Sequence, residues 1–206
     1  MFGFDPDMIF RIPALLIALT VHEYAHARVA VFLGDPTPRY AGRLTLNPIP
    51  HLDPIGLLML WIFRFGWAKP VPINPNNFRN FRQGVFAVSL AGPGANFVTA
   101  FICALVWAAF YPQITGVREV AKVLAWTYQY NLILAFFNLI PIPPLDGSQM
   151  VASLLPGRRA EAYERLAPYG PFILMGLVYL GVVGQLFDPL MEGTRRLFNA
   201  ILALLF

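Results

Sequence analysis

From Gln83 to Val117 the chain runs for 35 residues without an Asp, Glu, Lys or Arg. About 20 apolar residues in a helix cover the roughly 30 Å hydrocarbon core of a bilayer, so a stretch of this length belongs in a membrane. Two more charge-free stretches follow, Val123 to Leu145 and Leu166 to Phe187. The composition agrees, with 57% hydrophobic and only 13% charged residues. That charged share is about half that of a soluble domain. The net charge of +4 is scattered along the chain instead of gathered in a basic arm or stripe, which speaks against nucleic acid as a partner. Cys103 is the single cysteine, which excludes an intramolecular disulfide and a Cys-rich metal site.

Met8 to Leu33 has the length of a fourth span but carries Arg11, His22, Glu23, His26 and Arg28. Ionisable groups at membrane depth are costly enough to mark a functional site. The apolar start of this stretch, Ile9 to Val21, looks like the core of a secretory signal. It has only Arg11 as basic charge, no small-residue cleavage site and polar residues directly after it, so it is expected to remain in the mature protein.

Pro54 to Phe63 is too short to cross and is expected to be re-entrant or interfacial. Leu197 to Phe206, behind Arg195 and Arg196, is expected to lie as an amphipathic piece at the interface. Residues 34 to 82 form a proline-rich loop. Within it Gly42 to Asn47 alternates Arg43 and Thr45 with Leu44 and Leu46, which predicts a short strand ended by Pro48. The expected fold is an all-α integral membrane protein forming one domain over residues 1–206. It is a polytopic helical bundle with four full spans, short re-entrant or interfacial segments and one small β element after the first span.

The chemistry lies on the first span, where His22-Glu23-Tyr24-Ala25-His26 is an H-E-x-x-H motif. Histidines four residues apart fall on one helix face, one turn apart, so two imidazoles can share one zinc ion. Glu23, one position along, points elsewhere and is placed to act as a base on water at the metal. Chance alone would produce this motif on the order of 10⁻³ times in a chain of such composition. The bland alternative is a set of polar side chains satisfied inside a helix bundle.

A catalytic zinc commonly has three protein ligands and one open position. Cys103 sits in an apolar run as a small buried hydrophobe would, and His51 and Asp53 lie in the proline-rich loop. The better donor is Asp146. Pro141, Pro143 and Pro144 cannot continue a helix, so the span must unwind just before it. Irregular backbone at membrane depth is tolerated where it lines protein or a wet cavity. The alternative for Asp146 is a cap on the following helix.

The HEYAH sequence, followed about 110 residues later by Asn138-Leu139-Ile140-Pro141-Ile142-Pro143-Pro144-Leu145-Asp146-Gly147, resembles the site-two protease family of intramembrane zinc metalloproteases. Gly42 to Pro48, His51-Leu52-Asp53-Pro54, Gly66 to Pro72 and Ala91-Gly92-Pro93-Gly94-Ala95-Asn96-Phe97 resemble its short bacterial branch, without PDZ or CBS domains. The resemblance implies that His22, His26 and Asp146 bind one Zn²⁺ per chain, that Glu23 is the general base, and that Asn96 and Asn138 help hold substrate. An exposed strand edge at Leu44, Thr45 and Leu46 is a further candidate for pairing with unwound substrate backbone.

The expected function is hydrolysis of peptide bonds in or near transmembrane segments of membrane-protein substrates, with the lipid bilayer as surroundings. The alternative is a non-hydrolytic metal-binding membrane protein such as a transporter, a carrier or an inactive scaffold. If the ligands are to meet, the ends of their spans share one side. That side collects Arg28, Arg39, Arg43, Arg64, Lys69, Arg79, Arg82, Arg158, Arg159 and Arg165. The positive-inside rule then puts the active site nearer the cytoplasmic face of the cell membrane.

Overall fold

The computed structural model describes residues 7–56, 59 and 67–205, and the described chain is helical almost throughout. Helix α1 spans Met8–Phe32 and is followed by the short α2, Thr37–Tyr40, and by two 3-10 turns, Ile49–His51 and Pro75–Asn77. Helix α3 is Phe81–Ala109, α4 Tyr111–Thr115, α5 Arg118–Asn138, α6 Asp146–Leu154, α7 Gly157–Glu164, α8 Gly170–Tyr179 and α9 Val182–Leu202. Asn80 starts α3 by accepting the Gln83 backbone N–H at 3.2 Å, which satisfies one of the donors a helix start leaves open.

Helices α1, α3 and α5 pack against one another and form the centre of the molecule. The buried positions of α1 include Ala14, Ala18, His22, His26 and Ala30, each four residues after the last. Those of α3 include Gly84, Val88, Gly92, Asn96 and Ala100 at the same spacing, and α5 adds Thr127, Asn131 and Ala135. A four-residue step keeps to one helix face, and small residues along it let backbones approach where lipid supplies no hydrophobic drive. Large apolar side chains point outwards instead: Ile9, Phe32, Val98 and Ile102 are all exposed. Polar groups inside and apolar groups outside is the arrangement a bilayer demands.

Contacts between the helices fix their directions. Asp7 pairs with Lys122, Arg11 lies over the Trp126 ring and Ala18 is bridged through Asn96 to Asn131, so α1 and α5 run parallel. His26 meets Val88 while His22 meets Asn96, so α3 runs antiparallel to α1. The C-terminal half of α1 and the exit of α5 therefore share one end of the bundle.

Two helices, Met8–Phe32 and Phe81–Ala109, are long and apolar enough to cross a membrane. The other two of the four expected spans do not reach that measure as single helices. The third is helix α5, which at 21 residues has the length but begins with Arg118, Glu119 and Lys122 and ends at Asn138, before the prolines. The stretch Leu166 to Phe187 is not one helix. It breaks at Gly181, whose φ of +74° suits a residue without a side chain, and α8 and α9 meet there at 76°. That bent pair counts as a third span if it is taken as one. The tail is the end of the 21-residue α9, not a separate piece. Pro54 to Phe63 falls largely outside the described residues.

The expected strand at Gly42 to Asn47 does not form, and no strand occurs among the described residues. Its alternation is real but reversed in burial: the Arg43 side chain is 4% exposed while Leu46 is 61% exposed. The Thr45 carbonyl accepts from His51 Nε2 at 2.9 Å, and the Asn47 N–H turns back to Thr45 Oγ1 at 3.0 Å, so local side chains take the backbone groups a ladder would need.

Candidate metal centre

His22 and His26 lie in the second half of α1, buried on the face that meets α3. Their rings stand nearly perpendicular, at 81°, and the two Nε2 atoms are 3.0 Å apart. Asp146, the first residue of α6, brings its Oδ2 to 3.1 Å from His22 Nε2 and 3.3 Å from His26 Nε2. The prolines before Asp146 end α5, and Leu139 to Leu145 turn the chain back into the bundle. Gly147 permits that turn, because a Cβ there would fall on the Leu139 carbonyl oxygen and 2.7 Å from that of Ile140.

The second nitrogen of each ring decides what the first can do. His22 Nδ1 is 2.6 Å from Asn96 Oδ1, and His26 Nδ1 is 2.7 Å from the Val88 carbonyl oxygen. Both partners only accept, so both Nδ1 atoms carry a proton, and in the neutral ring that leaves Nε2 with the lone pair a metal takes. Asp146 Oδ2, also an acceptor, is buried and receives no hydrogen bond among the described residues. Three atoms able to ligate a metal thus converge at 3.0–3.3 Å from one another. A point just off the plane of such a triangle lies about 2 Å from each atom, the length of a zinc bond to nitrogen or oxygen.

Gly92 completes the cradle. A Cβ there would lie 2.5 and 2.7 Å from His22 Cε1 and Nε2 and closer still to His26 Nε2, so only glycine leaves the ligand atoms their place. Glu23, half-buried on the next face of α1, is not among the converging atoms. Its Oε2 accepts the backbone N–H of Val71 at 3.2 Å.

The remaining sequence candidates are distributed differently. Asn96 is fully buried, and its amide hydrogens go to the Ala18 carbonyl at 3.0 Å and to Asn131 Oδ1 at 2.7 Å, so its carboxamide is spent on α1 and α5. Asn138 donates to the Leu134 carbonyl of its own helix at 3.0 Å. Leu46 lines an apolar groove of about 230 Å³ with Leu16, Ile17, Thr20, Val21 and Pro48, beside the turn of α1 that precedes His22. Leu44 and Thr45 are half-buried in the same loop. His51 bonds Thr45 and Arg43 and is not brought to the metal cluster. Asn131 carries no sequence signal, being a lone Asn in a span. Val71 and Gly92 lie within segments that resemble the family, but nothing in the sequence gives either a role, although Gly92 stands one helical turn before Asn96.

Comparison with known proteins agrees with this geometry. Residues 113–178 match peptidase family M50. The chain is 35% identical over 206 residues to "Putative zinc metalloprotease YwhC" of Bacillus subtilis (strain 168), covering 94% of this chain and 93% of that one. It is 32% identical over 197 residues to "Putative zinc metalloprotease Rip2" of Mycobacterium tuberculosis (strain ATCC 25618 / H37Rv), covering 87% and 73%. No solved structure matches the chain. The chain belongs to peptidase family M50, the site-two protease family. It is a membrane metalloprotease whose cofactor is zinc.

Proposed function

We propose that this protease hydrolyses peptide bonds in or beside the transmembrane segments of membrane-protein substrates, with His22, His26 and Asp146 holding one zinc ion and Glu23 acting as general base. The observation that carries the reading is the convergence of two imidazole nitrogens and a carboxylate oxygen at one end of an apolar bundle, next to a carboxylate that does not join them. Zinc supplies the Lewis acidity that makes water nucleophilic near neutral pH and polarises a peptide carbonyl. Glu23 takes the proton of the attacking water and returns it to the departing amine. The Val71 N–H holds one carboxylate oxygen and leaves the other for that transfer.

A substrate must reach this site locally unwound, because a helical carbonyl is already hydrogen-bonded and wrapped by side chains. The groove between α1 and Leu46 fits apolar side chains flanking the scissile bond. Four crossings, by α1, α3, α5 and the bent α8–α9 pair, keep the metal ligands at one end. Among the described residues that end gathers nine of the fourteen Lys and Arg residues, and it is the cytoplasmic side of the cell membrane by the positive-inside rule.

The test is elemental analysis and cleavage of a transmembrane reporter peptide by detergent-purified variants. His22→Ala, His26→Ala and Asp146→Ala are each expected to lose zinc. Glu23→Gln is expected to keep about one zinc per chain and to lose hydrolysis, since an amide does not take the proton. Full zinc in Asp146→Ala would move the third ligand elsewhere, and hydrolysis by Glu23→Gln would remove it as the base.

A further inference from the structure

The hydrogen bonds behind His22 do not stop at Asn96. Asn96 Nδ2 donates to Asn131 Oδ1 at 2.7 Å, and Asn131 Nδ2 donates to the Thr127 carbonyl of its own helix at 2.8 Å. Both asparagines are fully buried where α1, α3 and α5 meet. The chain is directional throughout. The Thr127 carbonyl can only accept, so it fixes which end of the Asn131 amide faces it. The oxygen left on the other side of Asn131 can only accept, so with the Ala18 carbonyl it fixes the amide of Asn96.

The orientation of Asn96 in turn decides the tautomer of His22. With Oδ1 towards the ring, Nδ1 carries the proton and Nε2 offers its lone pair to the metal. Turned over, the Asn96 amino group would face Nδ1, the ring proton would move to Nε2, and His22 would stop being a ligand. That reversed amide would also set its oxygen against the Ala18 carbonyl at 3.0 Å and the Asn131 oxygen at 2.7 Å, two acceptor–acceptor contacts. A metal-ligating histidine is commonly set by the partner of its other nitrogen, and loss of such a partner costs 10–100-fold in metal affinity.

We infer that Asn131, on a different helix and out of contact with the metal ligands, is a positioning residue that selects the zinc-binding tautomer of His22 by orienting the Asn96 carboxamide. The inference rests on the zinc reading of the site given above. It adds α5 to the elements that set the metal centre, beyond the Asp146 that follows it.

The experiment is a zinc competition titration against a chromogenic chelator, using the full chain in detergent, together with ¹⁵N NMR of the histidine rings in zinc-free protein. Asn131→Leu removes the acceptor and is expected to weaken zinc binding about 10–100-fold. The His22 ring is expected to shift from protonation at Nδ1 alone to a mixture of tautomers. Asn131→Asp is expected to retain affinity and tautomer. Buried among apolar helices, its carboxyl is protonated, so it donates to Thr127 and accepts from Asn96 as the amide does. Should Asn131→Leu fail to fold, Asn131→Ser keeps the test open, because its hydroxyl back-bonds to Thr127 but is too short to reach Asn96. Unchanged affinity and an unchanged tautomer in a folded Leu or Ser variant would overturn the proposal, as would equal losses in Asn131→Asp and Asn131→Leu. Absence of zinc binding by the unmodified chain is a different outcome, and would overturn the metal reading itself.

Discussion

Arg43 Nη1 donates to the Pro70 carbonyl at 3.0 Å, and the next N–H along the chain, that of Val71, holds Glu23. The buried guanidinium also donates to the Lys69 carbonyl and lies 3.3 Å from His51 Nδ1. His51 in turn donates from Nε2 to Thr45. The loop after α1 is thus tied into a strap whose end bears on Glu23, the proposed base. Replacing Val71 with proline removes the donor inside a segment already extended by Pro70 and Pro72. Zinc content is expected to stay at the level of the unmodified chain while hydrolysis falls about tenfold, the rate equivalent of one hydrogen bond to a charged group. Parallel zinc analysis and reporter cleavage check this, and an unchanged rate would free Glu23 from the strap.

Gly92 should tolerate no side chain. A methyl group there would drive the His22 and His26 rings from their places, and overpacking of this kind costs about 1–3 kcal/mol. Gly92→Ala is expected to fold and to bind zinc about 10–100-fold more weakly. Gly94→Ala, two residues along and facing open space, is the control and should bind as the unmodified protein does. The measurement is the chelator titration on both variants.

Asp35 predicts a pH dependence. It is fully buried after the end of α1 and accepts from Thr37 N and Oγ1, Asn74 N and Asn77 Nδ2 at 2.5–3.1 Å, which ties the helix to the far part of the strap. Burial pushes its carboxyl up, but these hydrogen bonds outweigh it and hold the group below the usual carboxylate range. A depressed value means stabilisation that is present above the unfolded-state pKa and is lost as pH falls through the folded one. Asp35→Asn should therefore be less stable at pH 7 by about 1–3 kcal/mol, with the gap narrowing only below about pH 4. Thermal unfolding in detergent from pH 7 to pH 3 tests this. A gap that closes by pH 5 would assign the titration to another group.

The direction of the helices predicts accessibility. Arg79, just before α3, and Glu119, in the first turn of α5, lie at opposite ends of the bundle and both are exposed. Single cysteines at these positions, in a Cys103→Ala background, should react with a membrane-impermeant maleimide from opposite sides of sealed vesicles. Reaction from one side only would refute the proposed crossing pattern.

What could be read from the chain beforehand follows from how local the signal is. His22 and His26 are one helical turn apart, so sequence spacing alone put them on one face, and the prolines before Asp146 announced a break in regular structure where a ligand was wanted. The strand failed because alternation reports which residues differ, not which side is buried. Arg43 lies inside for the sake of two carbonyls about 26 residues away, and no window of six residues contains them. The partners of Asn96 come from two other helices, so its hydrogen bonds cannot be read from the residues around it in the chain. The bend at Gly181 is hidden for a related reason: hydropathy has no term for the direction of a helix axis, and the apolar run continues through a 76° turn.

The row of small residues on α1 makes the metal centre sensitive to bulk far from it. Ala14 and Ala18 lie on the same line as His22 and His26 and are wholly covered. A larger side chain at either one would act as a wedge, pushing neighbouring helices apart and opening the ligand triangle one or two turns away without touching a ligand. Among substitutions in this bundle, added volume on that line should therefore silence the enzyme more often than a change of polarity on the lipid-facing surface.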